Sequence, residues 1–266
     1  MLKKRWPRPT KTMALRDFQR GPLRYLTSRT RLVLQLAGLV SSAPRRNRTK
    51  HSWPELIDYV FGFGDGFLKP LQVRSELQRA LEEIERLKPR FVMEIGTAMG
   101  GTFFLLARAA AKDAFLVSLD LPGGRWGGGY SNWKTWVYRR FLLPDQSASF
   151  VRNNSHDPAS LERVKALLGG ARLDLLFIDG DHSYEGVKAD FNLYSSLVRP
   201  DGLIVFHDIA KHSAASGCDV DKFWAEIHDR YPSQEIIEDR AQGWAGIGVL
   251  RNAPAGNQVS VSAPQG

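Results

Sequence analysis

Residues 173–209 read LDLLFIDGDHSYEGVKADFNLYSSLVRPDGLIVFHDI, and this stretch decides the fold. Two apolar runs, 173–178 and 203–206, each stop at a cluster of ionisable side chains. The first runs into Asp179, Asp181 and His182, the second into His207 and Asp208. Between them, apolar residues at 187, 191, 194 and 197 recur at the spacing of one helix face. Strand, amphipathic helix and strand of these lengths predict a right-handed βαβ unit with parallel strands. The carboxyl ends of parallel strands share one edge of the sheet, where open α/β folds bind ligands. Asp179, His182, His207 and Asp208 are therefore expected to converge. A lone Asp or His at a strand end is commonly a turn former or helix cap. Two such clusters on matched strand ends point instead to an active site. Carboxylates gathered there repel one another unless a cation compensates. Aspartate oxygens beside an imidazole suit a hard divalent ion such as magnesium or manganese. The single cysteine, Cys218, excludes a structural zinc centre built on several thiolates.

A second signal lies upstream, in residues 90–110, RFVMEIGTAMGGTFFLLARAA. A short apolar strand leads to Glu94-Ile95-Gly96-Thr97, then a tight turn with Gly100 and Gly101, then a helix. Glycines there let the backbone approach a ligand closely, and a helix N-terminus presents free N–H groups. Ala98 stands where the dinucleotide GxGxxG pattern has its second glycine, so this is a different turn. The next strand, 115–119, ends at Asp120, about 20 positions on, well placed to hydrogen-bond a ribose hydroxyl pair. A third strand, 149–152, ends in Asn153-Asn154-Ser155-His156-Asp157. That polar cluster either holds an adenine or caps the helix that opens at Pro158.

These motifs resemble a known family. MEIGTAMGG is similar to the first motif of class I S-adenosylmethionine-dependent methyltransferases, and VSLD to their ribose-binding strand end. NNSHDPASLERV, LLFIDGDHSYEGVKADF and GLIVFHDI resemble one branch, the bacterial sugar O-methyltransferases of macrocin and mycinamicin type. That branch is akin to the cephalosporin-hydroxylase-like group and more distantly to catechol O-methyltransferase. The resemblance covers about residues 70–250 and is most specific over 177–190. It implies a doubly wound, mostly parallel Rossmann-like α/β sheet with helices on both faces. It also implies that Glu94, Gly96, Thr97 and Gly100 line the methionine end of the cofactor, Asp120 takes the ribose hydroxyls, and Ser155 with His156 the adenine edge. Asp179 and Asp208 would hold a divalent metal, magnesium or manganese, with His207 as third ligand. His182 falls where these enzymes place a general base, with Asp179 beside it and Asp181 able to orient the imidazole. Position 207 is often acidic in relatives; the histidine here weakens the case for magnesium. The implied reaction is methyl transfer to the hydroxyl of a sugar or glycosylated metabolite. A phenol, amine or nucleic-acid acceptor is the rival reading, as is a carbohydrate- or nucleotide-binding module that kept the fold without the chemistry.

Charge is unevenly distributed. Residues 1–50 carry 14 Lys or Arg against the single acid Asp17, a net +13, so the remaining residues net −4 within a total of +9. The basicity thus belongs to an N-terminal arm, and nucleic acid is not the expected partner. The mixed apolar and Arg-rich stretch 18–40 fits a basic amphipathic helix on an anionic membrane surface, and equally a disordered solubilising tail. A third reading is a transit segment. No apolar run approaches the roughly 20 residues of a membrane helix. One cysteine means no internal disulfide, in keeping with a reducing compartment. The expectation is a cytoplasmic enzyme, peripheral at the inner membrane face if the arm binds lipid, and able to form homo-oligomers.

Three regions follow: the arm, 1–50; a methyltransferase domain with N-terminal cap helices, 51–252; and a frayed tail, 253–266. Cap helices are predicted over 53–61 and 71–87, a late helix over 219–231, and final strands over 235–237 and 245–250. Residues 121–136 hold five glycines and three tryptophans and read as a lid whose aromatic faces suit a sugar.

Overall fold

The computed structural model describes residues 34–39, 41–43, 49–64, 66–124 and 129–252. Most of the basic arm, Trp126 of the lid and the whole tail lie outside them. Among the described residues no helix is long and apolar enough to cross a membrane.

The chain alternates helices and strands. Helices α1 (Trp53–Gly62) and α2 (Arg74–Leu87) precede β1 (Phe91–Ile95), α3 (Gly101–Ala109) and β2 (Phe115–Leu119). Then come α4 (Lys134–Arg139), β3 (Ser147–Val151), α5 (Pro158–Leu168), β4 (Leu173–Ile178) and α6 (Tyr184–Tyr194). The series closes with β5 (Val198–His207), α7 (Val220–Ile227), β6 (Ser233–Ile236) and β7 (Ile247–Arg251). The seven strands form one sheet in the order β3-β2-β1-β4-β5-β7-β6. All pairs from β3 to β5 are parallel; only β7 runs against its neighbours. This is the doubly wound α/β sheet expected from the sequence.

Successive side chains of a strand point to opposite faces, and here both faces are covered. Leu175 and Phe177 pack with α1, α2 and α3; Leu176 and Ile178 pack with α5, α6 and α7. That is why β4 past Asp174 reads as an unbroken apolar run, 175–178, rather than an alternating one. Helix starts follow local chemistry. Ser52 and Glu55 form a capping box ahead of α1, Asp157 caps α5 with Pro158 in its first turn, and Ser183 caps α6.

Several boundaries differ from the sequence reading. Helix α2 starts at Arg74 rather than at 71, and the late helix stops at Ile227, continuing as a 3-10 turn over His228–Arg230. Strand β5 starts at Val198, five residues before the apolar run, because Asn252 and the Asp201 amide pair across a bulged strand start despite Pro200. The last strands pair as β6 and β7 at 233–236 and 247–251, each shifted by a residue or two.

The end of the basic arm docks on the domain. Residues 34–39 are helical, and Leu39 and Ala43 are buried in the α1–α3 layer. Gln35 Nε2 donates to the Gly64 carbonyl (3.2 Å), and Ser42 hydrogen-bonds Tyr59 (2.8 Å). Arg108 of α3, itself buried, donates to the Ala43 and Phe141 carbonyls and stacks on Phe104. Burial pulls this guanidinium down to about 9. Leu36, Leu39 and Ala43 of the arm therefore pack against the domain, while Leu34 stays exposed.

Gly96, just past β1, has φ +91°, and a Cβ there would sit 1.9 Å from the Asp179 carbonyl oxygen. Gly169 also has positive φ, but a Cβ would meet nothing within 4 Å. Gly96→Ala should therefore lose more than about 3 kcal/mol in denaturant unfolding, against about 1 kcal/mol for Gly169→Ala. Equal losses would remove the close packing of β1 on β4 from the account.

Candidate active site

The carboxyl ends of β1 to β4 open into one cleft. Backbone bonds knit its floor: the Gly96 amide to Leu119 oxygen (2.9 Å), Asp120 amide to Val151 (3.0 Å), and Asp179 amide to Ile95 (2.8 Å). Because neighbouring parallel strands end together, residues that follow them become neighbours in space. Gly96, Asp120, Ser155, His156, Asp179 and His182, all singled out from the sequence, line this cleft. Ala98, Asn153 and Asn154 line it too.

At the β2 end, the Asp120 carboxylate accepts the Ala98 amide (2.6 Å) and the amides of Leu121 and Gly129. Burial raises its carboxyl to about 6, outweighing those three N–H groups. Glu94, Thr97 and Gly100 lie behind the cleft rather than on it. Thr97 donates to Glu94, whose other oxygen has no protein partner, and burial pushes the Glu94 carboxyl well above the usual range. Gly100 faces Tyr138, whose ring a Cβ would meet at 2.6 Å. At the β3 end His156 turns away from the cleft floor, its Nε2 3.1 Å from the Gly186 carbonyl and 3.3 Å from buried Asp190.

The β4 and β5 ends carry the charge. His182 Nδ1 lies 2.7 Å from Asp208 Oδ2, and its Nε2 3.4 Å from Asp179 Oδ1. His207 Nδ1 lies 3.1 Å from Asp179 Oδ1 and 3.3 Å from Asp208 Oδ1. The four side chains expected to converge do so. Burial disfavours a charge on His207, yet Asp208 and Asp179 together lift it to about 10. Burial likewise opposes and the same carboxylates raise His182, while both aspartates are held below the usual carboxylate range despite their burial. Asp208 adopts φ +66°, a left-handed conformation rare for a side chain with a Cβ and concentrated at functional sites.

Three participants had no sequence signal. Gln72, in the turn before α2, donates to Asp179 Oδ2 (3.2 Å) across 107 positions. His212 Nε2 reaches Asp208 Oδ1 (3.3 Å), and the Cys218 thiol meets both His182 and His212. All three come from loops, where no periodicity marks them.

Residues 93–209 match the family model described as a methyltransferase domain. The match spans the core from β1 through Ile209 and holds every strand end just described. Over 155 residues the chain is 28% identical to an uncharacterized protein of Sinorhizobium fredii, covering 56% of this chain and 16% of that protein. Over 116 residues it is 35% identical to an uncharacterized protein of Acanthamoeba polyphaga mimivirus, covering 44% of this chain and 50% of that one. The chain thus spans half or less of the length of these curated relatives. Its fold is similar to that of an O-methyltransferase from Bacillus cereus in complex with SAH, at TM-score 0.51 and 17% identity, over 74% of this chain and 90% of that one. At that identity the likeness is one of fold.

An ionised carboxylate is the better acceptor of hydroxyl hydrogen bonds, so a ligand whose hydroxyls rest on Asp120 should bind fully above its value of about 6 and lose affinity below it. S-adenosylhomocysteine should bind about tenfold more weakly at pH 5 than at pH 8. Calorimetry on Asp120→Asn should show weaker binding that no longer changes over that range. A persisting pH dependence in the variant would assign the effect to another group.

Proposed function

We propose that this chain transfers the methyl group of S-adenosylmethionine to a hydroxyl oxygen, with the acceptor at the β4–β5 end of the cleft. The observation that carries the reading is that His182, set between two carboxylates, lines the same cleft as Asp120. A nucleoside at Asp120 and an acceptor at His182 would then share one continuous space. The sulfonium methyl group arrives already activated, so the protein's tasks are alignment of the nucleophile and removal of its proton.

His182 is suited to the second task. Asp208 fixes one ring nitrogen at 2.7 Å, which leaves the other directed toward Asp179 and the cleft. The flanking carboxylates favour its imidazolium, so the base is the neutral ring, which a cation held by Asp179 and Asp208 would favour by offsetting their charge. Asp181, which accepts the Ser183 amide (2.9 Å), braces the turn that carries it.

The donor set also fits a divalent ion. Ligand atoms of Asp179, His207 and Asp208 all lie within 4.8 Å of one another. His207 Nε2 is buried without a partner, so Nδ1 is the polar atom that meets the carboxylates, and it needs a proton or a cation between them. An ion held by these three would orient an acceptor hydroxyl and lower its pKa. Magnesium or manganese is proposed for this role.

The acceptor proposed is a sugar hydroxyl on a glycosylated metabolite or glycan. Its support is aromatic. Trp133 and Trp136 are 46% and 53% exposed, so core packing does not account for their faces. Lys134, between them, reaches Met99 (3.5 Å), next to cleft-lining Ala98. An exposed aromatic face such as that of Trp133 suits the apolar C–H edges of a sugar ring; the Trp136 ring carries the Arg140 guanidinium, 5.3 Å from its centroid.

His182→Ala should lower turnover by ~10²–10⁴-fold with little change in affinity for S-adenosylhomocysteine. A larger loss in His207→Ala, with cofactor affinity intact, would move the base to that residue. Exhaustive chelation should abolish methyl transfer and magnesium or manganese restore it, cofactor binding persisting throughout. Full activity after chelation would leave the histidines as a purely organic acid–base pair.

A further inference from the structure

Beyond the Asp179–His207 side of the site lies a second group of donors with different chemistry. Ligand atoms of His182, Asp208 and Cys218 fall within 4.8 Å of one another. His212 joins them: its Nε2 is 3.3 Å from Asp208 Oδ1, and its ring is in hydrogen-bonding contact with the Cys218 thiol. We propose that His182, Asp208, His212 and Cys218 form a binding site for a zinc-class transition ion. This does not rest on the methyl-transfer reading.

Three features carry it. The first is donor type. One thiol, two imidazoles and a carboxylate form a set that selects borderline and soft ions over magnesium. The second is the setting of His212. Its Nδ1 lies 2.7 Å from the Ala210 carbonyl, which accepts a hydrogen bond from that N–H and leaves Nε2 facing Asp208 and the thiol, where an ion would take the place of its proton. An outer carbonyl fixing the tautomer of a histidine is the usual support for a metal ligand. The third is placement. The loop 208–219 is folded so that Cys218 returns to His182: the Asp219 amide donates to the His182 carbonyl (2.8 Å), and the Cys218 amide to Ser216 Oγ (3.0 Å).

Size agrees as well. Nitrogen, oxygen and sulfur ligands of a tetrahedral zinc stand roughly 3.3–3.8 Å apart, from bond lengths of about 2.0–2.3 Å. His182 Nδ1 and His212 Nε2 lie 2.7 and 3.3 Å from the Asp208 oxygens, and the thiol falls within 4.8 Å of the His182 and Asp208 ligand atoms, distances close to those an ion would set. A buried cysteine often serves only as a small apolar group, and Cys218 does touch the α6–α7 layer. Its sulfur nevertheless faces two imidazoles. An ion here also occupies His182, so it would withdraw that imidazole from proton transfer.

Cys218 is the chain's one cysteine, so any thiolate signal reports this site. The full chain, stripped of metal, is titrated with cobalt(II). The expected result is one ion per chain with the strong visible bands of a tetrahedral site and a sulfur-to-cobalt charge-transfer band in the near ultraviolet. Cys218→Ser should lose the charge-transfer band, His212→Gln should weaken binding at least ~10-fold, and Asp179→Asn should keep the band. In the wild-type chain, with no variant needed, zinc should slow alkylation of Cys218 at least ~10-fold while magnesium does not. Absence of the band in the wild type, its survival in Cys218→Ser, its loss in Asp179→Asn, or alkylation indifferent to zinc would each overturn the proposal.

Discussion

Two carboxylates fixed at the ends of adjacent parallel strands repel each other, and the local structure answers that repulsion. The β4–β5 register pairs Ile178 with Phe206, so Asp179 and the His207–Asp208 pair leave the sheet side by side. Both carboxylates are largely buried and both stay ionised in the company of three imidazoles, from His182, His207 and His212. Burial alone would raise the two acids and neutralise them; the imidazoles reverse that outcome. A site so arranged can exchange protons for a metal ion at small electrostatic cost. It can also hold the positive charge that builds up when an imidazole accepts a proton.

The rest of the sheet brings a further carboxylate, Asp120, to the same cleft. The order β3-β2-β1-β4-β5 places Asp120 two strands from Asp179, with Gly96 between them. Gly96 has no side chain to obstruct the approach of β1 to β4, so the cleft runs without interruption from Asp120 to His182. The environments at its two ends are opposed. Burial raises Asp120 to about 6 against three backbone amides, whereas burial among imidazoles keeps Asp179 and Asp208 low. One end is therefore fitted to accept hydroxyl hydrogen bonds, the other to handle protons or cations.

Much of this was legible in the sequence because it depends on strand ends. Apolar runs buried on both faces gave β1, β2 and β4 closely, and polar residues that terminate such runs must lie on the sheet's carboxyl edge. Asp120, Asp179, His182, His207 and Asp208 were found that way. Contacts formed by loops left no such mark. Gln72, His212 and Cys218 reach the site through turns whose course depends on tertiary packing, and no period or motif singles them out. Position within a glycine turn was equally uninformative about depth. Glu94 and Gly100 belong to the motif but face inward, toward Thr97 and Tyr138, whereas Gly96 reaches the cleft. Boundaries slipped where backbone pairing outlasts hydrophobicity, as at the bulged start of β5.

The central claim is that one cleft holds a nucleoside at Asp120 and the chemistry at His182. A crystal structure of the full chain with S-adenosylhomocysteine tests it most directly. The account predicts the ribose hydroxyls on the Asp120 carboxylate, the adenine toward Asn153–Ser155, and the sulfur facing the space beside Asp179 and His182. A ligand bound elsewhere, or one whose sulfur points away from His182, would contradict it.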